Sequence, residues 1–131
     1  MKVMLDTNIL VSAFIFKSRT INELINKLSI EHKIVIASYC IEELNELIRT
    51  KFNVNPKELN EFLVTFPFDL VYSPNDVEEK IFEIRDEEDY IILYTAIIED
   101  VDIFITGDKD FNDVDIDKPE IMTVKEFLEK Y

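Results

Sequence analysis

The feature that most constrains this chain is an alternation, sustained from end to end, of short apolar runs rich in β-branched residues with segments of helical periodicity. Residues 2–6, 33–37, 69–72, 101–106 and 120–122 read as strands. Between them, helices are expected over residues 8–16, 20–31, 39–51, from Pro56 onward, 75–85, from Asp86 or Glu87 to residue 98, and after Thr123. The strand runs are apolar on both faces, as parallel strands covered on both sides must be. The expected architecture is therefore an α/β fold, a three-layer α/β/α sandwich with a central, mostly parallel sheet. In such open sheets ligands gather beyond the carboxyl ends of the strands, where successive connections part. That edge is the place to look for chemistry.

Local signals support the helix starts. T-I-N-E from Thr20 and T-V-K-E from Thr123 have the capping-box form. Ser38 stands where a cap is needed for the third helix, and Asn55 precedes Pro56 in the order of a cap followed by a first helical residue.

A chain of 131 residues suits one domain, residues 1–131, with a continuous core. No apolar run approaches the roughly 20 residues of a membrane helix, and the N-terminal K-V-M-L-D is strand-like rather than a secretory leader. The expected location is the cytoplasm. A single cysteine, Cys40, excludes an internal disulfide and a cysteine zinc cluster, and its apolar neighbours suggest a buried thiol. His32, the only histidine, lies in a polar E-H-K turn and is expected to be a solvated surface residue. The one glycine, Gly107, cannot build a phosphate-cradling loop, so nucleoside triphosphate and dinucleotide readings drop out. The formal net charge of −14 argues against tight, nonspecific binding of a polyanion. Either the partner is basic, or the acids serve cations.

Four acids are expected at the carboxyl edge. Asp6 ends V-M-L-D, between two stretches that must be buried, where an unpaired charge costs several kcal/mol. It either caps the next helix, with Asn8 turning the chain, or has a charged partner. Glu43 shares its helical row with Cys40 and Leu47, whereas Glu42, Asn45, Glu46 and Arg49 form the solvated side. Glu43 is then a boundary residue reaching either into water or into a site. In R-D-E-E-D-Y, Asp89 lies one turn before Ile92, Leu93 and Ala96, and is aimed along a packed face. Asp86 and Asp89 also suit a helix cap and a residue complementing the helix dipole. In I-F-I-T-G-D-K-D-F, Gly107 would allow a positive φ that turns Asp108 back over the strand end, with Asp110 a secondary candidate. Asp113, Asp115 and Asp117 read as a solvated loop.

Four carboxylates at one edge repel one another unless cations neutralise them. All-oxygen ligation selects a hard divalent ion, Mg2+ or Mn2+, over zinc. One or two such ions can acidify water and shield a phosphate under attack, so no histidine or serine nucleophile is needed. Lys17, Arg19, Arg49 and Lys51 are the cations nearest the expected helices and are candidates for guiding phosphates, the alternative being ordinary surface cations.

Taken in order, D-T-N near the N-terminus, the glutamate of the second-strand helix, D-x-x-D ahead of an apolar helix, and T-G-D-x-D-F resemble the PIN domain family, most closely its toxin components of toxin–antitoxin pairs. The similarity spans the chain. It implies an acidic site at Asp6, Glu43, Asp89 and Asp108, supported by the polar groups of Asn8 and Thr106; Asp86 and Asp110 stand beside them as supporting acids, and Asp86 is the alternative to Asp89 as ligand. It also implies metal-dependent cleavage of single-stranded or loop RNA leaving a 5′-phosphate, a homodimer, and a small antitoxin that blocks the site. Two alternatives stay open: a haloacid-dehalogenase-like phosphatase, whose nucleophile motif D-x-D is broken here by Asn8, and a non-catalytic binding or regulatory module on the same fold.

Overall fold

Five short strands form one wholly parallel sheet: β1 (Lys2–Leu5), β2 (Lys33–Ala37), β3 (Asp69–Val71), β4 (Ile103–Ile105) and β5 (Glu120–Met122), in the spatial order β3-β2-β1-β4-β5. Among the described residues, six α-helices complete the α/β/α sandwich: α1 (Thr7–Phe14), α2 (Arg19–Glu31), α3 (Ser38–Thr50), α4 (Pro56–Leu63), α5 (Glu87–Ile98) and α6 (Val124–Lys130). The computed structural model describes residues 1–75 and 80–131.

The core is the sheet itself. Val3, Met4, Leu5, Ile34, Val35, Ile36, Ile103, Phe104 and Ile105 are all essentially inaccessible, because helices cover both faces of the strands that carry them. Helix α5 is apolar nearly all round for the same reason, burying Tyr90, Ile92, Leu93, Thr95 and Ala96. The amphipathic helices bury a single stripe instead, such as Ile21, Leu24, Ile25 and Leu28 of α2.

The strand order fixes where a site can lie. The chain leaves β1 toward β2 on one side and leaves β4 toward β5 on the other, so the connections diverge between the carboxyl ends of β1 and β4. Asp6 follows β1 there and Thr106 follows β4. Two backbone bonds carry the sheet past its formal end at this point. The Asp6 N–H donates to the Ile105 carbonyl at 3.1 Å, and the Thr106 N–H to the Met122 carbonyl at 3.0 Å.

Several local expectations need correction. Helix α1 starts at Thr7 and ends at Phe14, rather than running over residues 8–16. Lys17 then takes a positive φ of 50° in the turn toward α2. Helix α2 is capped by Ser18, whose hydroxyl accepts from the Ile21 N–H, so Thr20 is a helical residue and not a cap. Ser38 does not cap α3 either. Its hydroxyl accepts the Ser73 N–H at 2.9 Å while the Tyr39 N–H donates to the Ser73 hydroxyl at 3.3 Å, so the serine pair stitches the end of β2 to the chain leaving β3.

The helix expected over residues 75–85 falls partly on 76–79, outside the described residues, and residues 80–85 are not helical. Here the Ile81 N–H is spent on the Tyr90 hydroxyl at 2.9 Å, and Phe82 is buried in a stack on Tyr90 with ring centroids 4.3 Å apart. Tertiary packing on α5 thus overrides local propensity. His32 is not a solvated residue. Only 12% of its side chain is exposed, its ring meets the stacked Phe127 and Tyr131 rings edge-on, and burial lowers its pKa.

Asn55 with Pro56, and the reciprocal Thr123–Glu126 capping box, stand as expected. Cys40 is fully buried.

Phe104 lies at the centre of this packing, edge-on to Phe111 at 5.0 Å. Phe104→Ala should lower the unfolding free energy by about 3–5 kcal/mol in urea titrations. A loss under about 1 kcal/mol would show that β4 is not the packed centre described here.

Candidate functional site

Three carboxylates converge at the carboxyl edge. Asp89 on the first turn of α5, and Asp108 and Asp110 around the 3₁₀ turn after β4, each offer one oxygen within 4.8 Å of the other two. The path to each is local. Asp86 caps α5 by accepting the Glu88 N–H at 2.9 Å, which starts the helix at the edge and sets Asp89 one turn in. The Thr106 hydroxyl accepts the Asp108 N–H at 3.0 Å, and Asp108 Oδ1 accepts the Asp110 N–H at 2.9 Å, so two successive side-chain turns fold both acids back over β4.

Gly107 plays no conformational part in this turn. It does not adopt a positive φ, and a Cβ added there would meet nothing within 4 Å. The threonine hydroxyl does the work expected of the glycine. Gly107→Ala should accordingly leave the fold intact and raise stability by a few tenths to about 1 kcal/mol, read from the urea midpoint. A clear loss of stability would contradict the turn geometry described.

Asp6 lies beside this group and is only 4% exposed. Both its oxygens are occupied: Oδ1 accepts the Thr7 N–H at 2.8 Å and Oδ2 accepts the Thr106 hydroxyl at 2.7 Å. Thr106 therefore bridges Asp6 and the Asp108 backbone. Burial pushes Asp6 up to about 6 against the two bonds that pull it down, and the charges of Glu43 and Asp108 add to the rise. Asp89 is pushed up to about 7, again chiefly by burial, then by the charges of Asp108, Asp86, Asp6 and Asp110. Its Oδ2 is buried with no hydrogen-bond partner. A buried oxygen without a partner, on an acid that neighbouring carboxylates repel, is what a hard cation would satisfy, so the donor set fits Mg2+ or Mn2+.

Glu43 is half-buried on α3 and close enough to Asp6 to raise its pKa. It lines a depression of about 380 Å³ with Tyr39, Glu42, Glu46, Leu47 and Glu88. Burial and the Glu88 carboxylate hold the Tyr39 phenol well above its ordinary range. The Cys40 thiol is pushed up to about 12 by burial and by Asp6, which removes it as a nucleophile. Asn8 is exposed on α1. Asp113, Asp115 and Asp117 are exposed, as expected.

Sequence reasoning ranked Asp110 as secondary, yet it belongs to the tightest group of three. The D-x-D spacing across a 3₁₀ turn was the available signal. Lys17, Arg19, Arg49 and Lys51 are not drawn into the acids. Arg19 pairs with Glu23 and Arg49 with Glu46, Lys51 lies over the Phe52 ring, and Lys17 lines a depression with Ala13, Asn22 and Glu58. Arg85, not singled out from sequence, is the cation that touches the group, with Nη2 3.2 Å from Asp110 Oδ2.

A parallel α/β/α sandwich with a carboxylate cluster at its switch point defines the class. A sequence profile described as PIN domain matches residues 2–110, and the chain belongs to the PIN domain family. Among solved structures it is similar to a chain of the crystal structure of VapBC2 from Rickettsia felis bound to a DNA fragment from their promoter. That likeness has a TM-score of 0.73 and 23% identity, covering 94% of this chain and 98% of that one. No curated protein sequence matches.

The raised carboxyl groups give the metal-free protein a signed pH dependence. Asp6 and Asp89 have an ordinary value of 3.8 when unfolded, and about 6 and about 7 when folded. The native state thus holds protons that the unfolded state has released. The associated stability is full below pH about 4 and is lost as pH rises through 6 to 7. With the metal chelated, unfolding free energy should fall by on the order of 1–3 kcal/mol between pH 5 and 8. Asp89→Asn should flatten that profile. An equally steep profile in the variant would refute the assignment.

Proposed function

We propose that the chain is a metal-dependent endoribonuclease that hydrolyses phosphodiester bonds in single-stranded or loop RNA, leaving a 5′-phosphate, as the toxin component of a toxin–antitoxin pair in the cytoplasm. The observation that carries this reading is the convergence of Asp89, Asp108 and Asp110, one of which has a buried oxygen without a hydrogen-bond partner, beside the enclosed carboxylate of Asp6.

Asp6, Glu43, Asp89 and Asp108 are the proposed catalytic and metal-holding acids, with Asp110 joining them at close range and Asn8, Asp86 and Thr106 in support. One or two bound Mg2+ or Mn2+ ions would supply acidified water and charge screening at the scissile phosphate. The protein's own contribution is placement. Thr106 fixes the orientation of Asp6 and the backbone of Asp108, and Asp86 fixes the start of α5 and with it Asp89. The protein's hydroxyls and its one thiol are not needed as nucleophiles, and Cys40, being buried with a raised pKa, is unsuited to that role.

Membership of the PIN domain family supports nuclease chemistry. The similarity to VapBC2, a complex described on its own promoter DNA, supports an antitoxin partner. The net charge of −14 fits such a division, in which a basic partner meets the DNA and covers the acids. A homodimer belongs to the same reading.

Asp89→Asn tests it. The change removes a ligand charge while relieving repulsion, so the metal-free variant should be at least as stable as the wild type. Mn2+ should no longer raise its melting temperature, and Mg2+-dependent cleavage of a single-stranded oligoribonucleotide should fall at least about a hundredfold. Undiminished cleavage would sink the proposal. Release of phosphate from a small monoester with no RNA cleavage would point to a phosphatase instead.

A further inference from the structure

Carboxylates that gather a cation still leave a problem for a polyanionic substrate, since the surface around them is negative. Lysines and arginines total 14, and all lie among the described residues, yet most are engaged away from the acids. Lys33 pairs with Asp69, Lys118 with Asp100 and Asp102, and Lys130 with Glu120. Arg85 differs. It stands one residue before the cap of α5, its side chain is 85% exposed, and its guanidinium reaches Asp110 at the rim of the acid cluster.

Lys109 lies between Asp108 and Asp110 on the 3₁₀ turn. It joins Arg85, Asp110, Asp113, Glu83, Ile84 and Val114 around a depression of about 520 Å³ beside the acids. Two cations from different elements therefore line one depression together with Asp110 of the candidate metal centre.

We propose that Arg85 and Lys109 form the phosphate-positioning side of the site, binding the RNA backbone next to the scissile bond. This rests on the ribonuclease reading above. Arg85 makes one contact with Asp110 and keeps the rest of its five-donor fork free for a phosphate, which a guanidinium can grip at two oxygens. The pair with Asp110 is solvent-exposed and so weakly held. Asp110 also belongs to the carboxylate group suited to a divalent ion, so the ion and Arg85 compete for the same negative charge. Loading the site frees the guanidinium to turn to the substrate, which couples metal binding to substrate capture. Neither residue is a catalytic group; both position.

The coupling yields two effects of opposite sign, a pattern that a merely structural role would not produce. Arg85→Ala should raise Mn2+ affinity by about threefold or more in calorimetric titrations without RNA, because a competing cation is gone. With Ca2+ replacing the productive ion to suppress cleavage, the same variant and Lys109→Ala should each bind a fluorescent single-stranded oligoribonucleotide several-fold more weakly. Each should flatten the slope of log affinity against log salt by about 0.7. Lys57→Ala, an exposed cation on α4, controls for the loss of net charge and should change neither. Unchanged or weaker Mn2+ binding by Arg85→Ala would overturn the proposed competition. RNA affinity and salt slope at the wild-type level in both variants, with the wild type binding normally, would overturn this inference alone. A wild-type chain that binds no RNA would overturn it together with the ribonuclease reading.

Discussion

The Asp6 carboxylate is held at the one place in the sheet where the connections diverge, and the rest of the site is organised around it. Its backbone N–H closes the ladder between β1 and β4, and its side chain accepts from Thr7 at the start of α1 and from Thr106 at the end of β4. Three elements are thereby joined through one residue. The hydroxyl of Thr106 then passes the order on, accepting the N–H of Asp108 while donating to Asp6. A hydroxyl that donates and accepts at once locks both neighbours, and this is why a short threonine can set the spacing of two acids.

Stability and function pull against each other at this edge. Burial is the largest cause that lifts Asp6 and Asp89 above the usual carboxylate range, and like charges from Asp108, Asp86 and Asp110 push Asp89 higher still. A chain selected only for stability would replace one of these acids by an amide or an apolar residue. Acids brought together in this way, with one buried oxygen of Asp89 bonded to no protein group, offer a donor set that suits a cation.

Much of the fold was legible because strands buried on both faces leave an unmistakable apolar record. β2 and β5 occur at their expected residues, and β1, β3 and β4 sit inside the expected runs. Two of the misses share a physical cause, which is that polar groups pair across the fold instead of with local backbone. Ser38 bonds Ser73 across the sheet edge, and the Ile81 N–H goes to Tyr90, so Ser38 makes no local cap and residues 80–85 form no helical turn. The aromatic stack of Phe82 on Tyr90 could not be read from spacing. Gly107 was misleading in a different way. A lone glycine beside an acid suggests a backbone need, but the turn is made by Thr106 and Asp108 side chains.

At the site, the acids that come together stand on elements with signals in the sequence, and the cation beside them does not. Asp6, Asp89 and Asp108 are placed by strand ends and a helix cap, features with periodic or capping signals. Arg85 lies on an irregular segment whose course depends on packing against α5, so its proximity to Asp110 had no local signature. The contrast has a physical reason. Residues that gather positive charge must be preorganised, since their mutual repulsion would otherwise scatter them, and they are therefore built on regular structure. A residue that hands its charge from a carboxylate to an arriving phosphate needs the opposite property. It must be exposed, weakly paired and mounted on a segment free of helical constraint, and that is the position Arg85 occupies.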